Sequence, residues 1–366
     1  MTTISGSQIE KTRVLGPAPE LSASASGDSL LDRLPRKPQE RYHFIRSIGF
    51  GGMKGVLLVR DRDTDREVAM AIMPDFRDRP RQDLERFVSE ALLTARLEHP
   101  NIVPVHDIGV DSSGSPFFTM KYLRGQSLAQ LIMRLRDGDP PMVEKYTIYR
   151  RLQIFLRVCN AVDFAHSRRC CHLDIKPANV NIGDFGEVVV LDWGLASPLD
   201  DKGIALLAGD RRAKGTPGYM PPEFLSPETA NMVGVASDIY LLGGVLYALL
   251  SLSSPLANRD QEEKLRCTAA GEIPPPSQVA PVGWHVPASL EAVCLKAMAH
   301  RPVDRYRNVT ELRQEIIAFM SGYAPQAEHA SPLRRTALFL MRNRLALVII
   351  LLVLTVALLL SLRVAR

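Results

Sequence analysis

The sequence predicts an α+β protein with a small strand-rich lobe, a larger helical lobe and a single membrane-spanning helix close to its C-terminus. Three observations support this fold class. Apolar residues alternate at Val56 and Leu58 and again at Val68, Met70 and Ile72, a spacing typical of strands. Long segments with helical spacing follow at 149–166 and 238–252. Finally, residues 345–362 form an uninterrupted run without a charged side chain.

Composition excludes several classes of protein. A chain of 366 residues can bury a sizeable core, and 23 % charged with 46 % hydrophobic residues is ordinary for a globular protein, so fibrous and disordered classes are excluded. The 45 Lys and Arg are scattered among 40 Asp and Glu, so we expect no nucleic-acid partner. Five cysteines without a CxxC pair indicate neither a zinc site nor a disulfide framework, and favour a reducing compartment.

The N-terminal part divides into a tail and a folded region. Residues 1–40 are rich in Ser, Ala, Pro and Gly and lack periodicity, which predicts a disordered tail without the apolar core of a signal peptide. The folded domain is expected at 41–322, with the small lobe at 41–121 and the large lobe at 122–322. Helical spacing first replaces strand alternation at Leu84, Phe87, Val88 and Ala91.

The C-terminal segment is predicted to anchor the chain in a lipid bilayer. Eighteen residues at 345–362 span about 27 Å as a helix. A buried core helix is the alternative, but such helices seldom lack a polar face. Four arginines lie in the preceding basic linker, 323–344, and two in the short tail, 363–366, which predicts a single-pass protein whose domain is cytoplasmic. The sequence leaves open whether the chain forms a homodimer, although the run has no GxxxG pattern.

A glycine cluster, IGFGGMKGVLLVRD, joins two alternating apolar segments near the start of the folded region. Without side chains at Gly49, Gly51 and Gly52, backbone amides can approach a phosphate closely. On its own the cluster is equally typical of a hairpin that binds nothing.

Two later motifs, HLDIKPANV (172–180) and VVVLDWGLA (188–196), carry polar groups suited to phosphate chemistry. Asn179 and Asp192 supply hard oxygen ligands of the kind that Mg²⁺ prefers. Asp174 can accept a hydroxyl proton, and Lys176 can offset charge on a transferring phosphoryl group.

In this order, the motifs resemble those of the eukaryotic-type serine/threonine protein kinase family from Tyr42 to Gly322. The segment GTPGYMPPE resembles the end of the family's activation segment, and Asp238 resembles its buried helix aspartate. Arg305 resembles the late arginine that pairs with Glu223. The resemblance implies the bilobal protein-kinase fold, ATP and Mg²⁺ as cofactors, and serine or threonine hydroxyls of proteins as substrates.

The resemblance also implies an adenine pocket. Val56 and Ala69 would cover the base, with Met120 as the gatekeeper and Lys121 and Leu123 in the hinge.

One departure concerns the family's ATP-binding lysine, which normally stands in a VAxK strand and pairs with a helix glutamate. Here the strand reads VAMAIM, with Ala71 in the lysine position, while Glu90 is retained. Lys54 stands two residues before Val56 and therefore on the same face of its strand, within reach of the phosphates and Glu90.

This relocation resembles the with-no-lysine kinases, and it predicts a catalytic set of Lys54, Glu90, Asp174 and Lys176. In the alternative, Lys54 is a solvated loop residue. The chain is then a membrane-tethered pseudokinase that acts as a scaffold for nucleotides or proteins.

Smaller departures bear on regulation and affinity. Leu173 replaces the arginine that grips an activation-segment phosphate, and Ser197 is the only hydroxyl between Asp192 and Gly215, so control by phosphorylation there is not expected. Trp193 adds an N–H that requires a partner, and Asn181 stands where an apolar floor under adenine is usual.

Overall fold

The computed structural model describes residues 41–50, 54–207, 215–225 and 229–364. The tail predicted at 1–40 lies outside the described residues, as do the last two residues of the tail predicted at 363–366.

The first lobe is an antiparallel sheet with one helix packed against it. The sheet order is β1-β2-β3-β5-β4. The strands are β1 (Tyr42–Phe50), β2 (Gly55–Asp61), β3 (Arg66–Ile72), β4 (Val105–Val110) and β5 (Pro116–Lys121). The helix α1 (Arg81–Arg96) buries Leu84, Phe87, Val88 and Ala91, the residues whose spacing predicts it.

The second lobe is helical, with short strands near the junction between the lobes. Its helices are α2 (Leu128–Arg136), α3 (Pro140–Lys145), α4 (Ile148–Ser167), α5 (Val235–Ser251), α6 (Gln261–Ala270), α7 (Pro276–Val279), α8 (Ala288–Ala297) and α9 (Val309–Met320). The strands β6 (Gln126–Ser127), β8 (Val180–Ile182) and β9 (Val188–Val190) form a small sheet in the order β6-β8-β9. A second pair joins β7 (Cys170–Cys171) to β10 (Ser197–Pro198). This mixed α/β arrangement matches the predicted two-lobe fold.

Helix α5 is the centre of the large core. Every residue from Ser237 to Ser251 is buried, so the helix has no solvent-facing side and its neighbours pack around it. Helix α4 contributes Phe155 and Val158 to the same cluster. The two helices that the sequence predicts at 149–166 and 238–252 are therefore present, each within a few residues of its expected bounds.

A buried ion pair between Glu223 and Arg305 lies inside the helical lobe. Arg305 donates from Nη1 and Nη2 to the two carboxylate oxygens of Glu223 at 2.7 and 2.8 Å, and neither side chain is more than 1 % exposed. Ser237 Oγ donates to the same carboxylate at 2.7 Å. Arg305 also donates to three backbone carbonyls, so its charge is fully hydrogen-bonded.

Two further helices, α10 (Pro332–Arg342) and α11 (Arg344–Val364), end the chain and are separated by Asn343 alone. Helix α10 lies inside the segment predicted as a linker, and α11 covers the predicted membrane-spanning run. Among the residues that the structure describes, however, no helix is both long enough and apolar enough to cross a membrane. The structure thus does not confirm the transmembrane prediction.

We expect the Glu223–Arg305 pair to be essential for stability. Removing one partner leaves the other charge buried, so Glu223→Gln and Arg305→Met should each lower the free energy of unfolding by about 3–5 kcal/mol. Urea titration of each variant measures this change. The matched control is Arg301→Met, which removes an exposed pair with Asp304 and should leave the midpoint unchanged. Equal effects of the buried and exposed variants would contradict the expectation.

Candidate active site

A cleft of about 330 Å³ lies between the five-stranded sheet and the helical lobe. This volume is within the range of small-molecule sites, about 300–1,000 Å³. The sequence-predicted site residues that line it are Gly49, Lys54, Val56, Ala69, Glu90, Met120, Lys121, Leu123, Asn179 and Asp192. Asp174 and Lys176 do not line it, and Gly51 and Gly52 lie outside the described residues.

Lys54 contacts two carboxylates at the polar end of the cleft. Its Nζ donates to Glu90 Oε1 on α1 and, at 2.7 Å, to Asp192 Oδ1 in the segment after β9. The lysine side chain is 25 % exposed and that of Glu90 10 %. One ammonium group therefore links the glycine-rich hairpin, the helix of the small lobe and the large lobe.

Ala71 occupies the position on β3 where kinases of the family have their ATP-binding lysine. It is fully buried among Phe87, Ala91 and Phe118, which fill the space under the sheet. Its register partner on β2 is Val56, two residues after Lys54. The cation therefore enters the cleft from the neighbouring strand, one strand spacing away from Ala71.

The charges in this cluster support one another. Burial would lower the pKa of Lys54, but the carboxylates of Glu90 and Asp192 outweigh burial and raise it to about 12. Burial likewise would raise the pKa of Asp192, but the Lys54 ammonium outweighs it and the pKa is lowered. Lys54 and Asp192 are thus both ionised at neutral pH.

A second polar cluster lies in the loop before β8. Lys176 Nζ donates to Asp174 Oδ2 and to Thr216 Oγ1, both at 2.7 Å. Asn179 Nδ2 donates to the backbone carbonyl of Asp174 at 2.9 Å. These bonds hold a carboxylate, an ammonium group and a hydroxyl together, a combination that can accept a proton and stabilise negative charge.

Asp238, at the start of α5, fixes the backbone of this loop. Its carboxylate accepts the N–H groups of His172 and Leu173, each at 2.8 Å, and it is within 2.8 Å of His166 Nε2. Leu173 has a left-handed backbone with φ of 63°, which costs about 1–3 kcal/mol for a residue with a side chain. The buried aspartate holds this conformation, so that Asp174 is presented at a defined position.

Leu173 also packs against the segment that follows the cleft. It is 3 % exposed and belongs to one apolar cluster with Leu199, Met220 and Phe224. Ser197 is fully buried and donates to the Leu206 carbonyl at 2.9 Å. Leu173 therefore holds this segment by apolar packing, at the position where kinases of the family have a phosphate-binding arginine.

Other residues of the cleft were not predicted from the sequence. Thr94 lines it one helical turn after Glu90 and donates to the Glu90 carbonyl at 2.7 Å. The helical spacing of four from Glu90 could have indicated it. Phe118, Val103 and Val105 also line the cleft. The pairing of β4 and β5 brings Phe118 and Val105 there, and the Val103 N–H donates to the Val190 carbonyl of β9.

Two polar side chains of the cleft have atoms without partners among the described residues. Trp193 Nε1 is buried and has no hydrogen bond there, so the partner expected from the sequence is not found. Asn181 Oδ1 is also buried without a hydrogen bond, at the position where an apolar floor was expected. Both side chains line the cleft.

Comparison with known proteins identifies the architecture. The family described as "Protein kinase domain" matches residues 42–337. A relative named serine/threonine-protein kinase PknD from Chlamydia trachomatis serovar D is 34 % identical over 312 residues, which cover 77 % of this chain and 32 % of the relative. Proteins of the same name from Chlamydia pneumoniae and Chlamydia felis are each 35 % identical, over 300 and 307 residues, covering 77 % of this chain and 31 % of each relative. The chain thus spans about a third of the length of these relatives.

We expect Lys54→Met to make stability depend more strongly on pH. Burial already raises the pKa of Glu90 in the native chain, and without the ammonium group the neighbouring carboxylate of Asp192 raises it further. Such a group stabilises the fold below its unfolded pKa and loses this contribution as pH rises through the folded pKa. The variant should therefore be less stable than the native chain at pH 8, by up to about 3 kcal/mol, and the difference should shrink at pH 5.

Thermal unfolding at a series of pH values measures this difference. Arg81→Met, which removes an exposed ion pair with Glu85 on the same helix, is the control and should show the native pH dependence. A Lys54→Met deficit that is constant from pH 5 to pH 8 would contradict the electrostatic account.

Proposed function

This chain belongs to the family of protein kinase domains, and from that premise we propose that it transfers the γ-phosphate of ATP to serine and threonine hydroxyls of proteins. The observation that carries the proposal is the joint presence of two ordered polar clusters, one around Lys54 in the cleft and one around Asp174 beside it. A fold retained only as a scaffold has no need of either cluster.

Lys54 is proposed to bind the nucleotide phosphates in place of the lysine that β3 lacks. Its pairing with Glu90 supports this role, because the helix glutamate orients the phosphate-binding lysine in kinases of the family. The partner Asp192 brings the same ammonium group close to the proposed metal ligand. In this respect the chain is similar to the with-no-lysine kinases.

The remaining cleft residues fit ATP and Mg²⁺. Apolar side chains of Val56, Ala69, Met120 and Leu123 are suited to an adenine ring, with the Lys121 backbone in the hinge. Asn179 and Asp192 both line the cleft and offer an amide and a carboxylate oxygen, a donor set that fits Mg²⁺ when phosphate oxygens complete the coordination. When bound, Mg²⁺ would neutralise charge on the phosphates.

Asp174 is proposed to orient the acceptor hydroxyl and to take its proton. Lys176, which bridges Asp174 and Thr216, would stabilise the negative charge of the phosphoryl group as it moves. Catalysis then depends mostly on positioning and electrostatics, because little covalent chemistry falls to the protein.

The first test compares phosphotransfer by Asp174→Asn and Lys54→Met with that of the native chain on a generic protein substrate. Loss of a general base costs about 10²–10⁴-fold in rate, so Asp174→Asn should lose at least that factor in kcat. Lys54→Met should lower kcat/KM for ATP by about 100-fold, or about 2.7 kcal/mol. Lys145→Met, at the end of α3 and outside the cleft, is the control cation. Equal turnover by native chain and Lys54→Met would exclude the relocated lysine.

A membrane-tethered pseudokinase is the second candidate, and the buried Ala71 favours it. In that case Mg·ATP would raise the melting temperature, as any ligand of the native state does, without releasing ADP. ADP release that is abolished by Asp174→Asn would instead support the kinase.

We further expect activity to be independent of phosphorylation in the segment after Asp192. Leu173 offers no cation to a phosphate there, and Ser197 is buried. Phosphatase treatment should therefore leave the turnover rate unchanged, and Ser197→Ala should match it in a kinetic assay. A loss of activity on phosphatase treatment that ATP restores would contradict this expectation.

We also propose that the domain is attached to a membrane, facing the cytoplasm, through the apolar segment at 345–362. The absence of charge from this run in the sequence supports insertion, and the arginines that precede it support the orientation. Dimerisation through this segment remains a proposal as well.

A further inference from the structure

Helix α10 presents an apolar stripe to solvent. Leu333, Ala337, Leu340 and Met341 stand at positions i, i+4, i+7 and i+8, which places them along one side of the helix. The exposed fractions are 84 % for Leu333, 47 % for Leu340 and 68 % for Met341. No residue of α10 is buried, so the stripe is not covered by the described part of the domain.

A different side of α10 contacts residues 323–328, the segment before it, whose Glu328 accepts a hydrogen bond from Ser289 Oγ on α8 at 2.7 Å. The Arg342 guanidinium lies 3.8 Å from the centre of the Tyr323 ring, and Arg334 Nε donates to Glu328 Oε1 at 3.2 Å. Leu338, between these arginines on the same side, is half-buried, whereas the other apolar side chains of α10 are exposed. The helix is thus attached to the domain by its arginine side, while the apolar stripe points elsewhere.

The charge around this helix favours one kind of partner. From His329 to Arg366 the sequence contains six arginines and no acidic residue. An amphipathic helix with a large apolar moment and cationic flanks lies in the interface of a membrane, with the apolar side at the acyl boundary and the cations near the head groups.

The helix that follows supports a bilayer over a second protein. Those apolar side chains of α11 that the structure describes are exposed on all sides of the helix axis, as at Leu345 (74 %), Val348 (62 %), Ile350 (55 %) and Leu354 (61 %). A one-sided protein interface would cover only a stripe, whereas lipid covers every side. Because Asn343 alone separates the helices, α10 must lie close to the surface that covers α11.

We propose that α10 lies flat in the interface of a bilayer that contains acidic phospholipids. Its apolar stripe enters the acyl boundary, and its arginine side carries the kinase domain. The domain is thereby held against the membrane in one orientation instead of hanging from a flexible linker. This contact is distinct from the insertion of α11 and from phosphotransfer, so the three proposals can fail separately.

The test uses the full chain with a single added cysteine that carries an environment-sensitive fluorophore. The five native cysteines are all buried, so that the label is directed to the new position. Met341→Cys reports the stripe, and Arg335→Cys, on the opposite side of α10, is the matched position. Vesicles contain phosphatidylcholine with phosphatidylglycerol at about three to one, or phosphatidylcholine alone, with bromine atoms on the upper acyl chain.

The expected result is that the label at Met341→Cys shifts to shorter wavelength and loses most of its emission to bromine quenching in acidic vesicles. The label at Arg335→Cys should be quenched far less. A second variant, Leu333→Ser/Leu340→Ser/Met341→Ser, should remain with vesicles after carbonate extraction but lose the orientation. In this variant a label added at Ala337→Cys, on the stripe, should be quenched by bromine no more than the label at Arg335→Cys. Its control replaces three exposed apolar residues elsewhere, Phe185, Val282 and Val303, with serine.

Each other outcome overturns the proposal. Equal quenching at both positions would show that α10 crosses the bilayer instead of lying on it. A chain that stays with vesicles while neither label is quenched would be anchored by α11 alone. If the label at Met341→Cys is shielded from water in detergent and contacts a label on another molecule, a second copy of the chain covers the stripe instead of lipid. A chain that does not bind vesicles at all would also exclude the anchor proposed for 345–362, without bearing on phosphotransfer.

Discussion

The ammonium group of Lys54 is the contact on which the arrangement of the cleft depends. It joins Glu90 on α1 and Asp192 after β9, two carboxylates that belong to different lobes. Glu90 is largely withdrawn from water while Asp192 is 40 % exposed, and two neighbouring like charges repel each other unless a cation lies between them. The relative position of hairpin, helix and large lobe at this end of the cleft is therefore an electrostatic requirement as much as a packing one.

The space that a lysine on β3 would occupy is filled by packed side chains and is not empty. Ala71 is enclosed by aromatic side chains of α1 and β5, so that α1 lies close against the sheet. The register of β2 and β3 sets Val56 opposite Ala71, and a lysine two residues before Val56 needs to cross only one strand spacing, about 4.8 Å, to reach the same space. The long flexible side chain of lysine makes this reach possible, whereas a shorter cationic side chain would not extend that far.

Two other groups of buried charges in the described residues are also hydrogen-bonded. Glu223 and Arg305 share two bonds, and Asp238 accepts two backbone N–H groups that hold Leu173 in a left-handed conformation. These groups hold the loops beside the cleft, while the apolar cluster around Leu173 holds the segment after it. Polar bonding thus positions the proposed catalytic loop, and apolar contact positions the segment that faces it.

Periodicity and the order of short motifs were sufficient to predict two lobes, the bounds of α4 and α5 to within a few residues, and a set of acidic, amide and basic side chains suited to phosphoryl transfer. These features are local, since alternation and helical spacing act over a few residues. Tertiary structure alone decided which atoms meet: Lys54 contacts partners 36 and 138 positions away. It also decided that Trp193 Nε1 lacks a partner among the described residues, and that the apolar stripe of α10 faces outward. Spacing cannot supply these facts, because contacts between distant segments are set by how the elements pack and which charges that packing encloses.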